Sequence, residues 1–201
     1  MESYVLIIDD NLKLKEDTLI WELQDKFGEN NIVFIANPKE ALEFLEKNLE
    51  KNIIVLLDIQ FPENEIGGHE ILGEIRKLSE LIPVILWSGI DENNEPFGDF
   101  INNNAFRFIA KTATISEIMA VIDEAVNYFS TSLDNTIEDW IIQKDEDKDK
   151  PVYFTSDGKS YSLNQILHEI RTQTDVGKSF ARKLNELTID LLLRKKENLN
   201  G

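Results

Sequence analysis

The chain has 201 residues, 38 acidic against 21 basic side chains for a formal charge of −17, no cysteine, two histidines and 42% apolar residues. A length of this order allows one full domain and a small second one. The lack of thiols excludes a disulfide scaffold, a cysteine nucleophile and a zinc knuckle, and two isolated histidines, His69 and His168, make a zinc site a poor expectation. The acidity is concentrated. Residues 1 to 130 carry 25 acids and 10 bases, and the remainder 13 and 11, so the first part repels phosphate backbones and argues against nucleic acid as a partner. Most of these acids read as solvated surface. The N-terminal apolar run meets two acids well before the ~20 residues of a spanning helix and has no basic leader segment. A cytoplasmic protein with no membrane contact is expected.

Five strand-sized apolar runs punctuate the first 130 residues: Tyr4 to Ile8, Ile32 to Ala36, Ile53 to Leu57, Pro83 to Trp87 and Phe106 to Ala110. Between them apolar residues recur at helical spacing, as in Leu19, Leu23 and Phe27, then Leu42, Leu45 and Leu49, then Ile71, Ile75 and Leu78, and finally Ile115, Ile118, Ile122 and Phe129. The connection from Gly89 to Asn104 is the poorest in such periodicity, so a helix there would be short. Alternation of strand and helix predicts an α/β domain, with a doubly wound parallel sheet covered on both faces.

Beyond Phe129 the pattern changes. A polar stretch leads into QKDEDKDKP, residues 143 to 151, too charged to pack, so residues 131–150 are expected to be a charged linker between a domain at 1–130 and a small module at 151–201. In that module two alternating runs flank Asp157 and Gly158, a dipeptide suited to a tight hairpin turn. Ser162 and Gln165 form a capping-box pattern opening a helix through Arg171. Val176, Phe180, Leu184, Leu187 and Leu191 stripe a longer helix. The expected unit is a β-hairpin plus two helices, with the stripe packing inside the unit in preference to forming a homodimer seam. GKS at 177–179 lacks the earlier glycine and the preceding strand of a P-loop.

In an open parallel sheet, ligands bind beyond the carboxyl ends of the strands. Those ends carry Asp9 and Asp10, Asp58, Ser88 and Lys111. Three clustered carboxylates are unfavourable without a compensating cation, and a small hard ion with oxygen ligands, Mg²⁺, suits them. An ammonium and a hydroxyl beside them complete a cradle for a phosphoryl group. Each residue alone is unremarkable at a strand end; the intervals of 30 residues from Asp58 to Ser88 and 23 from Ser88 to Lys111 make the set specific.

VLIIDD, IIVLLDIQFP, PVILWSG and FIAK resemble, in order and spacing, the motifs of response-regulator receiver domains of two-component signalling, over about residues 1 to 130. The resemblance implies a flavodoxin-like five-stranded sheet of order 2-1-3-4-5. It implies Asp58 as the phosphoacceptor and a Mg²⁺ site made by Asp9, Asp10, Asp58 and the backbone carbonyl of Gln60. Ser88 would contact the phosphoryl group, Lys111 would pair with it, and Phe108 would be the aromatic switch residue that turns inward as Ser88 moves. The partner implied is a histidine kinase or phosphotransfer protein. The chain would then be a phosphoprotein that assists its own phosphorylation and dephosphorylation without being an enzyme in the turnover sense.

There are departures. Thr112 stands where the family usually has proline, Phe61 where methionine is common, and Gly67 and Gly68 fall one or two positions late, implying a longer loop beside the acceptor. A haloacid dehalogenase-like phosphatase would need a second Asp at position 60, which is Gln, and an acidic pair after the nucleophile; here the pair comes first. A phosphorylation-independent pseudo-receiver scaffold and a transcriptional regulator with a DNA-binding tail remain alternatives, although the tail is barely basic. The C-terminal module matches no family known to us, and a protein-contacting output is expected of it.

Overall fold

The computed structural model describes residues 2–62, 66–89, 105–145 and 147–197. The chain divides into two compact units, residues 1–131 and 132–201. Among the described residues no helix is long and apolar enough to cross a membrane.

The first unit is built on strands β1 Ser3–Ile8, β2 Ile32–Ile35, β3 Asn52–Leu57, β4 Val84–Ser88 and β5 Arg107–Ala110. They form one parallel sheet in the order β2-β1-β3-β4-β5. Each lies within a residue or so of its expected run, because continuous apolar sequence in a strand can be satisfied only by cover on both faces. Alternation divides that cover cleanly. Val5, Ile7, Ile54, Leu56, Ile85, Trp87 and Ile109 join one core with helices α1 Thr18–Phe27 and α4 Ile115–Thr131. Leu6, Ile8, Val55, Leu57, Val84 and Leu86 join the other with α2 Pro38–Lys47 and α3 Gly68–Leu78. Thus the doubly wound sheet and its order stand as expected. The short helix considered between Gly89 and Asn104 lies outside the described residues.

The start of α3 shows what the late glycine pair does. A Cβ on Gly68 would stand 2.5 Å from the Asp58 carbonyl oxygen and 2.6 Å from the Ile59 Cα, whereas one on Gly67 would meet nothing within 4 Å. The Gly68 N–H also donates to the Ile59 carbonyl at 3.1 Å. Backbone cannot yield as a side chain tip does, so Gly68→Ala should lower stability by about 1–3 kcal/mol, as overpacking does, and Gly67→Ala should be near neutral. Denaturant titration of the two variants checks this; equal effects would refute the close approach.

The second unit differs from expectation at its beginning. Residues 131–150 are not a linker throughout: helix α5 Leu133–Ile142 occupies the first part, capped by Ser132, with Ile137 and Ile141 buried. The charged stretch after it is tied down as well. The Lys148 ammonium donates to the Ile142 carbonyl at 2.7 Å, and the Asn164 amide to Asp149 Oδ1 at 2.8 Å. Charge at residues 143–150 obscured the helical spacing of Leu133, Ile137, Trp140 and Ile141 just before it.

The hairpin follows as β6 Pro151–Phe154 and β7 Ser160–Ser162, turning where Gly158 has φ +85°. Helix α6 Leu163–Arg171 opens with the full Ser162–Gln165 capping box. Helix α7 Asp175–Glu197 then returns along α6, and a Cβ at Gly177 would stand 2.2 Å from the Glu169 carbonyl oxygen, so only glycine permits this approach. The apolar stripe of α7 is used only in part. Phe180 packs edge-on against Tyr153 at 5.2 Å and Ala181 is buried, but Leu187 and Leu191 are 55% and 52% exposed. The periodicity marks the apolar face, but α6, with 9 residues against the 23 of α7, is too short to cover its full length.

Candidate functional site

The ends of β1, β3, β4 and β5 bring the candidate residues together through sheet register. The Asp58 N–H donates to the Ile8 carbonyl at 2.9 Å, which sets Asp58 beside Asp9, and the Lys111 N–H donates to the Ser88 carbonyl at 2.8 Å. Asp9 and Asp58 are buried, as is Ser88, while Asp10 is exposed. Each of the three aspartates offers a carboxylate oxygen within 4.8 Å of the others.

Lys111 spans the two buried acids, its ammonium 2.6 Å from Asp9 Oδ2 and 2.8 Å from Asp58 Oδ2. The remaining oxygens accept backbone donors: Asp9 Oδ1 from the Asn11 N–H at 2.9 Å, and Asp58 Oδ1 from the Gln60 N–H at 3.2 Å. Gln60 itself is exposed at the rim. Phe108 sits on β5 opposite Leu86, half-buried against the core of α2 and α3. The Lys111–Thr112 bond is trans, and the following turn is closed by the Ala113 N–H on the Ala110 carbonyl at 2.9 Å.

One ammonium cannot neutralise three carboxylates. Burial, with the nearby Asp58 charge in support, pushes the Asp9 carboxyl above its usual range, although the Lys111 and Asn11 hydrogen bonds pull it back. Burial pulls the Lys111 ammonium down, but the hydrogen bonds and charges of Asp58 and Asp9 outweigh it and hold that group above the ordinary lysine value. An acid whose folded pKa is raised contributes stability below its unfolded pKa, and that contribution is lost as pH rises through the raised value. Hence, without divalent ion, Asp9→Asn should be more stable than the native chain at neutral pH, with the difference closing as pH falls toward 3.8. Denaturant titrations across that range measure the gap; a variant less stable at pH 7 would show that the Lys111 pair outweighs burial.

The oxygen-only donor set and its excess negative charge fit a hard divalent cation such as Mg²⁺. Two features of the site were not legible in the sequence: the Gly68 closure behind Asp58, and Trp87, whose ring lies under the Lys111 ammonium. Both arise from tertiary register, for which no local pattern exists.

Comparison with known proteins agrees with this architecture. Among solved structures, the chain is similar to a CheY-like response regulator receiver domain protein from Methanospirillum hungatei JF-1, with 20% identity over 66% of this chain and 100% of that one and a TM-score of 0.55. It is similar to the signal receiver domain of a LuxO-type repressor protein from Vibrio parahaemolyticus, with 16% identity over 72% and 99% and a TM-score of 0.55. It is also similar to the receiver domain of the histidine kinase CKI1 from Arabidopsis thaliana, solved in complex with Mg²⁺ and BeF3⁻, with 24% identity over 63% and 90% and a TM-score of 0.51. A search of curated proteins gives no match. The model of the response regulator receiver domain matches residues 5–123, and on that match, over a sheet whose strand ends gather Asp9, Asp58, Ser88 and Lys111, the chain belongs to the response regulator receiver domain family.

Proposed function

We propose that this protein is a phosphorylation-controlled response regulator in which Asp58 accepts a phosphoryl group from a histidine kinase, a phosphotransfer protein or a small phosphodonor. The carrying observation is the convergence of the three aspartates within 4.8 Å with Lys111 bonded to two of them. Asp9, Asp10, Asp58 and the Gln60 carbonyl would hold Mg²⁺, which would supply the positive charge that offsets the negative charge gathered during transfer.

The chain's own groups do the rest. Asp58 Oδ1 is oriented by the Gln60 N–H, and Lys111 holds Oδ2 until a phosphoryl oxygen competes for the ammonium. Ser88, at the neighbouring strand end, would donate its hydroxyl to a second oxygen. The modification adds about −1.5 to −2 charge, and Ser88 and Phe108 would rearrange together as the switch. Swinging such an equilibrium from 1:99 to 99:1 needs about 5.5 kcal/mol, within reach of several charge-assisted hydrogen bonds. The protein is a stoichiometric acceptor that assists gain and loss of its phosphoryl group, not an enzyme with sustained turnover.

The second unit would convey the state through protein contacts. Val152, Phe154, Leu187, Leu191 and Leu192 are large apolar side chains at least half exposed there, more suited to a protein partner than to nucleic acid. The whole reading is tested by titrating the full chain with Mg²⁺ in a calorimeter and then adding acetyl phosphate. Heat of binding at millimolar metal and uptake of one phosphoryl group per chain are expected; metal binding without uptake would favour the scaffold alternative.

A further inference from the structure

Strand β4 presents Ser88 to the site, and the residue before it bears on the same chemistry from the opposite face. Alternation sends Trp87 into the core that holds Ile7 and Leu56, each two positions before an acidic site residue, Asp9 and Asp58. The Lys111 ammonium lies over the Trp87 indole, 5.4 Å from the ring centre, while it bonds both acids. The ring is 4% exposed, and its N–H has no hydrogen-bond partner among the described residues. Burying an unsatisfied donor is unfavourable, and an aliphatic side chain would fill this core position without that penalty. What the indole adds is its electron-rich face, the best of the aromatic rings for a cation.

We propose that Trp87 is a positioning residue for the phosphoryl site, holding the Lys111 ammonium over Asp9 and Asp58 so that it is already in place when a phosphoryl oxygen arrives. A lysine stem has four rotatable bonds, and a ring beneath its ammonium, acting with two carboxylates, removes much of that freedom before transfer. Trp87 supplies no atom to the transfer itself, and the contact through which it bears on the chemistry is the one with Lys111. The inference rests on Asp58 being the acceptor, and its structural half can be judged separately.

In the Mg²⁺-free full chain, ring currents of the indole should move the Lys111 ε-methylene proton resonances upfield of those of other lysines, and Trp87→Leu should return them to the ordinary position. At saturating Mg²⁺, Trp87→Leu should take a phosphoryl group from acetyl phosphate about 2- to 30-fold more slowly than the native chain, the span from an exposed to a desolvated cation–π contact. Trp87→Phe, which keeps a weaker ring, should fall between them. Mg²⁺ affinity should stay within about twofold in both, because the ring offers no oxygen ligand to a hard cation. Trp87→Met serves as the non-aromatic probe if the leucine variant does not fold. Unshifted Lys111 resonances, a non-aromatic variant as fast as native, a phenylalanine variant as slow as the leucine one, or weakened Mg²⁺ binding would each overturn the proposal. If the native chain takes up no phosphoryl group, the functional reading fails, while the resonance shift still decides whether the ring holds the lysine.

Discussion

Asp58→Asn, incubated with Mg²⁺ and acetyl phosphate, is expected to keep its unmodified mass, whereas the native chain gains one phosphoryl group that survives acid and is released by base. In the proposed transfer a carboxylate oxygen of Asp58 would form a bond to phosphorus as the donor's phosphorus–oxygen bond breaks and acetate leaves. An amide oxygen is a far weaker nucleophile, so the loss should be complete. The replacement nearly conserves volume and retains an oxygen able to accept the Gln60 N–H that Asp58 Oδ1 accepts at 3.2 Å, so the fold should persist. Circular dichroism of the variant separates loss of chemistry from loss of structure. Labelling of the asparagine variant to the native extent would move the acceptor elsewhere.

The second large effect is expected in the second unit. Arg171 on α6 donates from Nε to Glu138 Oε1 on α5 at 2.5 Å, and each side chain is only 13% exposed. Burial pushes the Glu138 carboxyl above the usual range, and the Arg171 charge and hydrogen bond pull it partly back. Arg171→Met deletes the opposing charge and leaves the carboxylate buried, which should cost about 3–5 kcal/mol, far more than the ~0–1 kcal/mol of an exposed pair. The pH dependence follows from the raised pKa: the Glu138 contribution is present below its unfolded value near 4.5 and lost as pH rises through the folded one. Without Arg171 that folded value climbs further, so the variant's deficit should be greatest at neutral pH and shrink toward pH 4.5. Urea titration followed by Trp140, the tryptophan of this unit, measures both points. A deficit below about 1 kcal/mol at pH 7 would place the pair among surface ion pairs.

Much of the first unit is legible in sequence because its strands are covered on both faces and therefore read as unbroken apolar runs. The strand-end acids, Ser88 and Lys111 could be located from those runs alone, since a parallel sheet aligns its carboxyl ends. Gly158 and the Ser162–Gln165 box were legible for another reason: turn and cap chemistry is local. What escaped was tertiary. Gly68 could be read as a displaced glycine but not as the residue that lets α3 close on the Asp58 carbonyl. Helix α5 was masked by the charge run after it. The leucines of α7 showed one face without showing where α6 ends.

The strict two-face division of the sheet has a further consequence. Ser88 leaves β4 on the side of Leu86 and Phe108, while Trp87 leaves it on the side of Ile109 and α4. A single event at the pocket would therefore be felt by two helical layers through different neighbours, one by way of the hydroxyl and the other by way of the ammonium. Substitutions could silence either route while sparing the other.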